Sequence, residues 1–570
     1  MKCLGVVGAV LALVGGGFGL DREAFTFTRY DLSLRLEPAQ QRLGVRGTVT
    51  LRNDSSQPQR VAALQISSSL NWRSIRAVGK SPDDLQALQF LTQPYTSDID
   101  HTGELSEAIV TLPREIAPKE SVTLSVGYEG VIVLDTGRLK RIGVPDAVAR
   151  HSDWDQIGKT FTAVRGIGYV AWYPVAMDEQ NLSDDAAMFT ALGNWKARHA
   201  ESQMELQVKL MSWFEDMPAV LINGKGCAAE EDDSSGTIAM QSCSFPSLGW
   251  SNPVLIVGDF RESAAGPLRL HYATEHEAVA QEFAAASQRV TYLIKDWFGP
   301  PQEKLDVIDL ADADAAPFEA AGWLLMPLAK SRPQIEETLA AHQLAHAAFP
   351  SPRLWIEEGA AYFAQALAHE RDGRAAVLDY LATHRLPVVQ AEKQSGGAGE
   401  SLTEASQEVL YRDKAALVWW MLKDMVGEVA LKRALHAYRS ADDKDPAYLQ
   451  RLIEAESKRD LGWFFHDWVY TDAGLPDFRI ESANARVTNG TNCVTAVSVA
   501  NAGAAGAEII VTVRTATTDF TQRLEVRAKA KGITRIATPA EPLEVIVNDG
   551  SVPELGESVH RFKIARDEAK

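Results

Sequence analysis

Cysteine is scarce in this sequence, with four residues in a chain of 570. None of the four lies at the spacing of a cysteine zinc site, which excludes a metal centre of the zinc-finger type. Cys227 and Cys243 flank an acidic, Ser- and Gly-rich stretch between two strand-like runs. In an export compartment they would form a disulfide that closes a hairpin, and the alternative is a pair of buried thiols.

An excess of positive charge is also missing, because the formal net charge is −19 at pH 7. A surface that binds nucleic acid needs clustered Lys and Arg side chains. The charge balance therefore argues against a nucleic-acid partner, and otherwise indicates only a well-solvated exterior.

Long apolar runs are absent beyond the first twenty residues. That segment has one Lys and then an uncharged, apolar run that ends in small residues near Gly17 to Gly19, the pattern of a secretory signal peptide. We predict a signal peptide over residues 1–20, no other transmembrane segment, and an exported protein, periplasmic or extracellular. The alternative is an uncleaved membrane anchor, because the run is just long enough to span a bilayer.

The chain is too long for one hydrophobic core, so it should divide into three or four domains. Period-two alternation in segments such as Tyr30 to Leu36 and Glu205 to Leu210 predicts a mostly antiparallel β domain over residues 21–262. Apolar residues then repeat every three to four positions, which predicts an α-dominated domain over 263–475. Its helices include His276 to Trp297 and Gln334 to Ala348. Short strands return over 476–570 and predict a β-sandwich. The fold class is therefore multidomain α+β.

Two histidines four residues apart, His342 and His346, lie in an Ala- and Leu-rich segment with a helical pattern. This spacing places both imidazoles on one helical face, where they can bind one metal ion. A second helical segment begins after a Pro-containing loop, and Glu358 near its start could be a third ligand. The frame is the His-Glu-x-x-His of zinc peptidases, except that Gln343 stands at the position of the glutamate, which is the general base of those enzymes.

The resemblance extends beyond the histidine pair to an ordered set of motifs. His342-x-x-x-His346 precedes Leu354-Trp355-Ile356-Glu357-Glu358-Gly359, and a Tyr411-x-x-Lys414 helix follows. These motifs resemble those of the gluzincin aminopeptidases, the membrane-alanyl-aminopeptidase family. Further segments of the same ordered set are Val257 to Phe260, Phe298-Gly299, Lys304 to Asp306 and the aromatic cluster near Trp463 to Trp468. The resemblance covers roughly residues 25 to 476.

This resemblance implies an N-terminal β saddle domain, a thermolysin-like α-rich metallopeptidase domain, and one zinc ion held by His342, His346 and Glu358. It implies peptides or protein N-termini as partners, with Glu319 at the place of the residue that binds the substrate amine. Tyr411 corresponds to the tyrosine that supports the oxyanion. It is offset by one residue, however, so that Arg412 stands where the tyrosine belongs.

The substitution at Gln343 leaves the enzymology open. A carboxamide can hydrogen-bond to a water molecule but cannot accept its proton, and general-base catalysis contributes about 10²–10⁴-fold to rate. We therefore expect an exported zinc-binding relative of aminopeptidases that is impaired or inactive and retained to bind peptides. One alternative is a working metallopeptidase in which Glu357 or Glu319 is the base; another is a structural secreted protein without metal.

Overall fold

The structure is a computed structural model that describes residues 20–81, 84–183, 187–211, 218–230, 238–302, 304–320, 323–395, 399–489 and 492–564. The segment predicted to be a signal peptide thus lies outside the described residues, apart from Leu20. Within the described part, no helix is long and apolar enough to cross a membrane. Cys227 and Cys243 are joined in a disulfide, and Cys493 is a buried free cysteine.

The first half of the chain is built from strands, as the alternation predicted. In β1 the buried positions alternate with exposed ones from Tyr30 to Leu36, because successive side chains of a strand point to opposite faces. The strands are β1 (Phe25–Glu37), β2 (Arg42–Asn53), β3 (Gln59–Ser67), β4 (Leu70–Val78), β5 (Leu85–Ala87), β6 (Phe90–Thr96), β7 (Glu104–Ile116), β8 (Ser121–Val131), β9 (Gln156–Ile157), β10 (Phe161–Val164), β11 (Gln203–Met211), β12 (Ala219–Ile222), β13 (Lys225–Gly226), β14 (Ala228–Glu230), β15 (Ile238–Phe245) and β16 (Leu255–Gly258).

These strands form three sheets. The largest has eight strands in the order β14-β15-β11-β1-β2-β8-β4-β5, a second has five in the order β13-β12-β16-β10-β9, and a third has the order β3-β7-β6. The pairs in these sheets are antiparallel except β1 with β11, which is parallel and in register from Arg29 opposite Gln203 to Leu36 opposite Leu210. Three helices interrupt the strands: α1 (Gly137–Arg141), α2 (Asp146–Ser152) and α3 (Ala187–His199).

A mixed sheet introduces the helical part of the chain. Its order is β17-β18-β19-β21-β20, from β17 (Arg261–Ala265), β18 (Leu268–Tyr272), β19 (Leu305–Asp309), β20 (Phe318–Ala320) and β21 (Trp323–Met326). The helices that follow or pack on it are α4 (Glu277–Phe298), α5 (Pro333–Ala348), α6 (Leu354–Glu370), α7 (Arg374–Ser395), α8 (Ala415–Val426), α9 (Glu428–Ala437), α10 (Tyr448–Ser457) and α11 (Gly462–Phe465), with π-helical turns at Val409–Lys414 and His466–Tyr470.

Helices α5 and α6 are buried inside this region. In α6 the buried side chains include Trp355, Ile356, Phe363 and Leu367, and they belong to one hydrophobic core with α4, α5 and α8. Gly359 allows this packing, because a Cβ built there would lie 2.7 Å from the Cβ of Ala415. The close approach brings the start of α6 against α8 and against the π-turn before it.

The last strands form two small sheets with the orders β22-β23-β26 and β25-β24-β27-β28. Their inward side chains share the hydrophobic core of the helical region. The indole of Trp468, for example, donates a hydrogen bond to the carbonyl of Gly506 at 2.8 Å. The strands are β22 (Phe478–Asn489), β23 (Asn492–Asn501), β24 (Ala507–Thr515), β25 (Asp519–Val526), β26 (Lys531–Thr538), β27 (Pro542–Val547) and β28 (His560–Lys563).

Candidate metal centre

Helix α5 positions the two histidines that the sequence singles out. His342 and His346 lie one turn apart in this helix, and both side chains are buried. Their Nε2 atoms are 3.1 Å apart, so both rings converge on one point, as expected for residues four apart on a helical face. Burial lowers the pKa of both imidazoles and favours the neutral form that binds a metal.

Glu358 reaches the same point from α6. After α5 ends at Ala348, a short loop with two prolines reverses the chain, and α6 begins at Leu354. The Glu358 carboxylate Oε1 then lies 3.9 Å from Nε2 of His346. The three potential ligand atoms lie within 4.8 Å of one another, and within the described residues they are the one cluster of this kind.

The donor set fits a zinc ion. Two imidazole nitrogens bound to one tetrahedral zinc lie about 3.3 Å apart, because each Zn–N bond is about 2.0 Å long. The observed 3.1 Å is close to that value, and the Glu358 carboxylate lies 3.9 Å from Nε2 of His346. The Nδ1 atoms of both histidines are buried and have no hydrogen-bond partner within the described residues. This departs from the usual pattern, in which a second group orients each ligating imidazole.

Gln343 directly follows His342 in the chain. It is buried, with a relative exposure of 1%. Among the residues that the structure describes, neither its amide oxygen nor its amide nitrogen has a hydrogen-bond partner. A buried amide without partners costs free energy, so a water molecule or a ligand is the expected partner of this group. A carboxamide can hold such a molecule, but it cannot take its proton.

A π-helical turn at Val409–Lys414 carries the residues that the sequence places at the oxyanion position. A π-turn holds one residue more than an α-turn and is frequent at functional sites. It coincides with the one-residue offset of Tyr411 that the resemblance to aminopeptidases predicts, and both Tyr411 and Arg412 line a cavity. Tyr411 is buried, and its ring lies 6.5 Å from that of Trp250.

Arg412 lies directly beside the metal cluster. Its Nε is 3.4 Å from Oε2 of Glu358, and its Nη1 is 3.2 Å from Oε2 of Glu408, one turn earlier. Burial opposes ionisation of Glu408, but Arg412 and then Lys196 outweigh it and hold the pKa of Glu408 below its usual range. The guanidinium therefore neutralises carboxylates on two sides.

The cavity in front of this cluster has a volume of about 590 Å³, within the usual range for a small-molecule site. The β-rich first half and the helical region both contribute walls. Arg165 and Tyr169 line it from the first half, and Glu319 and Glu357 line it from the second. Arg165 is held by a hydrogen bond from its Nη2 to Asp155 at 2.6 Å and by stacking on Tyr169.

Glu319 has an unusual proton affinity for a carboxyl group. Burial raises its pKa to about 7, Arg412 opposes the rise, and Glu358 adds to it. Its Oε1 is buried and has no hydrogen-bond partner in the described part of the chain. Glu319 thus belongs to the same electrostatic cluster as the two groups that the sequence places at the metal and oxyanion positions.

Several residues that the fold brings to this region have no role in the sequence prediction. Helical spacing could have identified Tyr362, which follows Glu358 by one turn and whose ring centroid lies 4.8 Å from that of His342. Tyr362 also packs on His384, whose Nδ1 is 2.6 Å from Asp413. Lys196 carries no comparable signal, because it comes from α3, far away in the chain.

Comparison with known proteins gives matches among solved structures. The M1 zinc metallopeptidase from Deinococcus radiodurans is similar at 18% identity and a TM-score of 0.44, over 78% of this chain and 94% of that one. A mutant of it bound to a Tyr-Ser-Ala substrate gives 18% identity and a TM-score of 0.44 over 79% and 94%. A two-domain M1 zinc metallopeptidase mutant bound to L-tryptophan gives the same identity and TM-score over 79% and 95%.

No protein-family model matches the chain, and no curated protein matches it. At 18% identity, the likeness to the solved metallopeptidases assigns no role to any residue of this chain. The roles below therefore rest on the geometry of the chain itself.

Proposed function

We propose that this chain is an exported, aminopeptidase-like zinc-binding protein whose hydrolytic activity is impaired and whose cavity is retained to bind peptides. The observation that carries the proposal is the convergence of His342, His346 and Glu358 on one point, with Gln343 buried at the position of the general base. The ligand set favours a metal, whereas the carboxamide removes the group that would take a proton from water.

His342, His346 and Glu358 would hold the zinc ion. When bound, zinc supplies a Lewis acid that polarises a carbonyl group and lowers the pKa of a water molecule. Gln343 can orient that water by a hydrogen bond and leaves the proton in place. Arg412, paired with Glu358, adds positive charge beside the site and so weakens the affinity for a cation.

A second candidate function is a working metallopeptidase in which Glu319 is the base. The observation that favours it is the pKa of Glu319, which burial raises to about 7. A general base is most effective when its pKa lies near the working pH. Glu319 also lines the cavity in front of the metal cluster, and Glu357, the other carboxylate considered, lines the same cavity.

Metal content tests the proposal first. We expect about one zinc per chain after loading and exhaustive dialysis, measured by elemental analysis, because two imidazoles and a carboxylate are the usual set for a zinc site with an open position. His346→Ala should retain none. His436→Ala, which removes an exposed histidine of α9, is the matched control and should retain zinc like the unaltered protein. An unaltered chain without zinc would leave the structural, metal-free alternative.

Turnover then separates the two metal-binding candidates. We expect the zinc-loaded protein to hydrolyse a panel of aminoacyl reporter substrates at background rates. The working-peptidase candidate instead requires measurable turnover that Glu319→Gln abolishes while zinc content stays the same. Peptide binding without turnover, measured by calorimetry, supports the impaired form.

A further inference from the structure

Arg412 is placed by a π-turn at the wall of the cavity, and its hydrogen-bond donors are only partly used there. Its guanidinium lies 3.2 Å from Glu408 and 3.4 Å from Glu358. Even so, within the described residues its buried Nε donates no hydrogen bond. A guanidinium forms its strongest contacts as a planar fork that donates two parallel hydrogen bonds to one carboxylate. No such paired contact is formed here.

A second cation converges on the same place from a distant part of the chain. Lys196 of α3 lines the cavity, and its Nζ lies 3.7 Å from Oε1 of Glu408. Burial lowers the pKa of Lys196, although Glu408 partly offsets this. Glu408 is therefore shared by Lys196 and Arg412, and neither cation is fully compensated by it.

Carboxyl groups line another part of the cavity wall. Glu319 and Glu357 line it, and Oε1 of Glu319 is buried without a hydrogen-bond partner in the described residues. A ligand with an ammonium group and a carboxylate group could pair with both sets of residues. Its ammonium would face the carboxyl groups of Glu319 and Glu357, and its carboxylate would face the two cations. A dianion such as a phosphate is disfavoured by the nearby carboxylates, since like charges at short range repel.

We propose that Arg412, assisted by Lys196, binds a ligand carboxylate, so that the cavity selects short peptides with a free C-terminal carboxylate over long chains and protein N-termini. This proposal rests on the peptide-binding function proposed above and names its ligand class. The carboxylate of a ligand has two sources, the chain terminus and an Asp or Glu side chain, and both offer the same planar anion to the guanidinium.

Calorimetric titration of the zinc-loaded mature chain tests the proposal with three series of peptides. The first is a panel of X-Ala-Ala tripeptides as free acids, the second is the same panel as C-terminal amides, and the third is X-Ala-Asp amides. We expect the free acids to bind about 10- to 100-fold tighter than the amides, the range of a hydrogen bond to a charged group. The aspartyl amides should bind like the plain amides. Mass spectrometry after each titration confirms that the peptides are intact.

Arg412→Gln, compared at equal zinc content, should reduce the ratio of acid to amide affinity to about one. Arg412→Lys keeps the charge without the fork and should retain part of the preference. Arg451→Gln removes an exposed arginine of α10 and is the matched control, with an unchanged ratio. Lys196→Gln should also lower the ratio, and it provides a second variant if Arg412→Gln fails to fold, as judged by thermal unfolding.

Equal binding of acids and amides by the unaltered protein would overturn this inference and leave the peptide-binding function intact. A preference that persists in a folded Arg412→Gln protein would overturn it as well. Tight binding of the aspartyl amides would assign the carboxylate site to an acidic side chain and overturn the selection of free C-termini. If no peptide of any series binds to zinc-loaded protein, the proposed peptide-binding function itself fails.

Discussion

At the scale of single residues, the proposed loss of hydrolytic activity rests on Gln343. The two amide atoms of Gln343 are buried and unpartnered within the described residues, so a carboxylate of nearly equal volume can replace the amide without repacking. Gln343→Glu would supply the missing proton acceptor beside the three candidate ligands.

We predict that Gln343→Glu raises turnover of aminoacyl reporter substrates by roughly 10- to 100-fold, a part of the full contribution of a general base. The gain should be partial, because Arg412 stands where the resemblance to aminopeptidases predicts an oxyanion-binding tyrosine. Restoring one member of a set of catalytic groups that act together recovers only part of the rate. Adding Arg412→Tyr should raise turnover further. Both single variants, the double variant and the unaltered chain are compared at equal zinc content; an unaltered chain as active as Gln343→Glu would contradict the prediction.

Glu319 should make the stability of the metal-free protein depend on pH. Its pKa is about 7 in the folded protein, against 4.5 for the free group. The folded state therefore binds more protons than the unfolded state between these values, and the free energy of unfolding falls as the pH rises through this window. Glu319→Gln removes this contribution.

We predict that the free energy of unfolding of the unaltered protein falls between pH 4.5 and pH 7. In Glu319→Gln this fall should be smaller by about 1–3 kcal/mol. Urea unfolding in the presence of a chelator measures the difference at each pH. Glu275→Gln, which changes an exposed carboxyl group before α4, is the control and should follow the unaltered protein. Parallel curves for the unaltered protein and Glu319→Gln would show that Glu319 is ionised in the folded state.

At the scale of secondary-structure elements, the π-turn at Val409–Lys414 leads directly into the regular helix α8 and holds one residue more than an α-turn would. Removing one residue from a π-turn can restore an α-turn and keep the phase of the helix that follows. Deleting Arg412 would also place Tyr411 two positions before Lys414. This is the spacing of the aminopeptidase motif that the sequence resembles.

We predict that deletion of Arg412 leaves a protein that still folds cooperatively, with a loss of stability that arises mainly from the Glu358 and Glu408 carboxylates that lose this guanidinium. Deletion of Val418 is the matched control. It removes one residue from the regular, buried helix α8 and rotates the preceding and following side chains by about 100° relative to each other. That control should fail to fold cooperatively. Equal damage from both deletions, measured by thermal unfolding, would contradict the interpretation of the π-turn as an insertion.

The elements could be predicted where the sequence pattern is local. The helix predicted from Gln334 to Ala348 is α5, which begins one residue earlier, at Pro333, and the helix predicted from His276 to Trp297 is α4, shifted by one residue. Helix α7 was missed because Pro387 lies inside it and its apolar residues are weakly periodic. The π-turn was predicted as ordinary helix, since the difference is one residue of phase.

The candidate site could be predicted only in part, for a related reason. His342, His346 and Glu358 follow from spacing along two consecutive helices, and the structure brings them together. The contacts of Arg412 with Glu358 and of Lys196 with Glu408 join distant segments. Pairings of this kind depend on tertiary packing and leave no periodic signal in the sequence. The domain boundaries drawn at 262 and 475 remain predictions.

At the scale of the whole molecule, the C-terminal strands and the helical region share one hydrophobic core. Polar contacts join them as well: Nη2 of Arg459 lies 2.7 Å from Glu508, and Nη2 of Arg374 lies 2.7 Å from Asp549. Removing the strands would expose the apolar faces of several helices to water.

We predict that a chain ending at Pro476 does not fold into a stable helical region. Deleting the strands uncovers Trp468, whose indole donates to Gly506 in the intact protein. It also removes Asp549 as a partner of Arg374, which keeps Asp424, and Glu508 as a partner of Arg459. Circular dichroism and thermal unfolding of the truncated protein are the measurements, with the intact chain as the reference. A cooperative transition at the temperature of the intact protein would show that the C-terminal strands fold as a separate unit.

The parallel pairing of β1 with β11 has a consequence for synthesis. β1 lies inside the eight-stranded sheet, and Arg29 and Gln203 at one end of the pairing are 174 residues apart in the chain. At a synthesis rate of about 5–20 residues per second, roughly 9–35 seconds separate their emergence from the ribosome. During that interval one edge of β1 has no partner, so the nascent chain exposes an unpaired apolar strand that chaperones can bind.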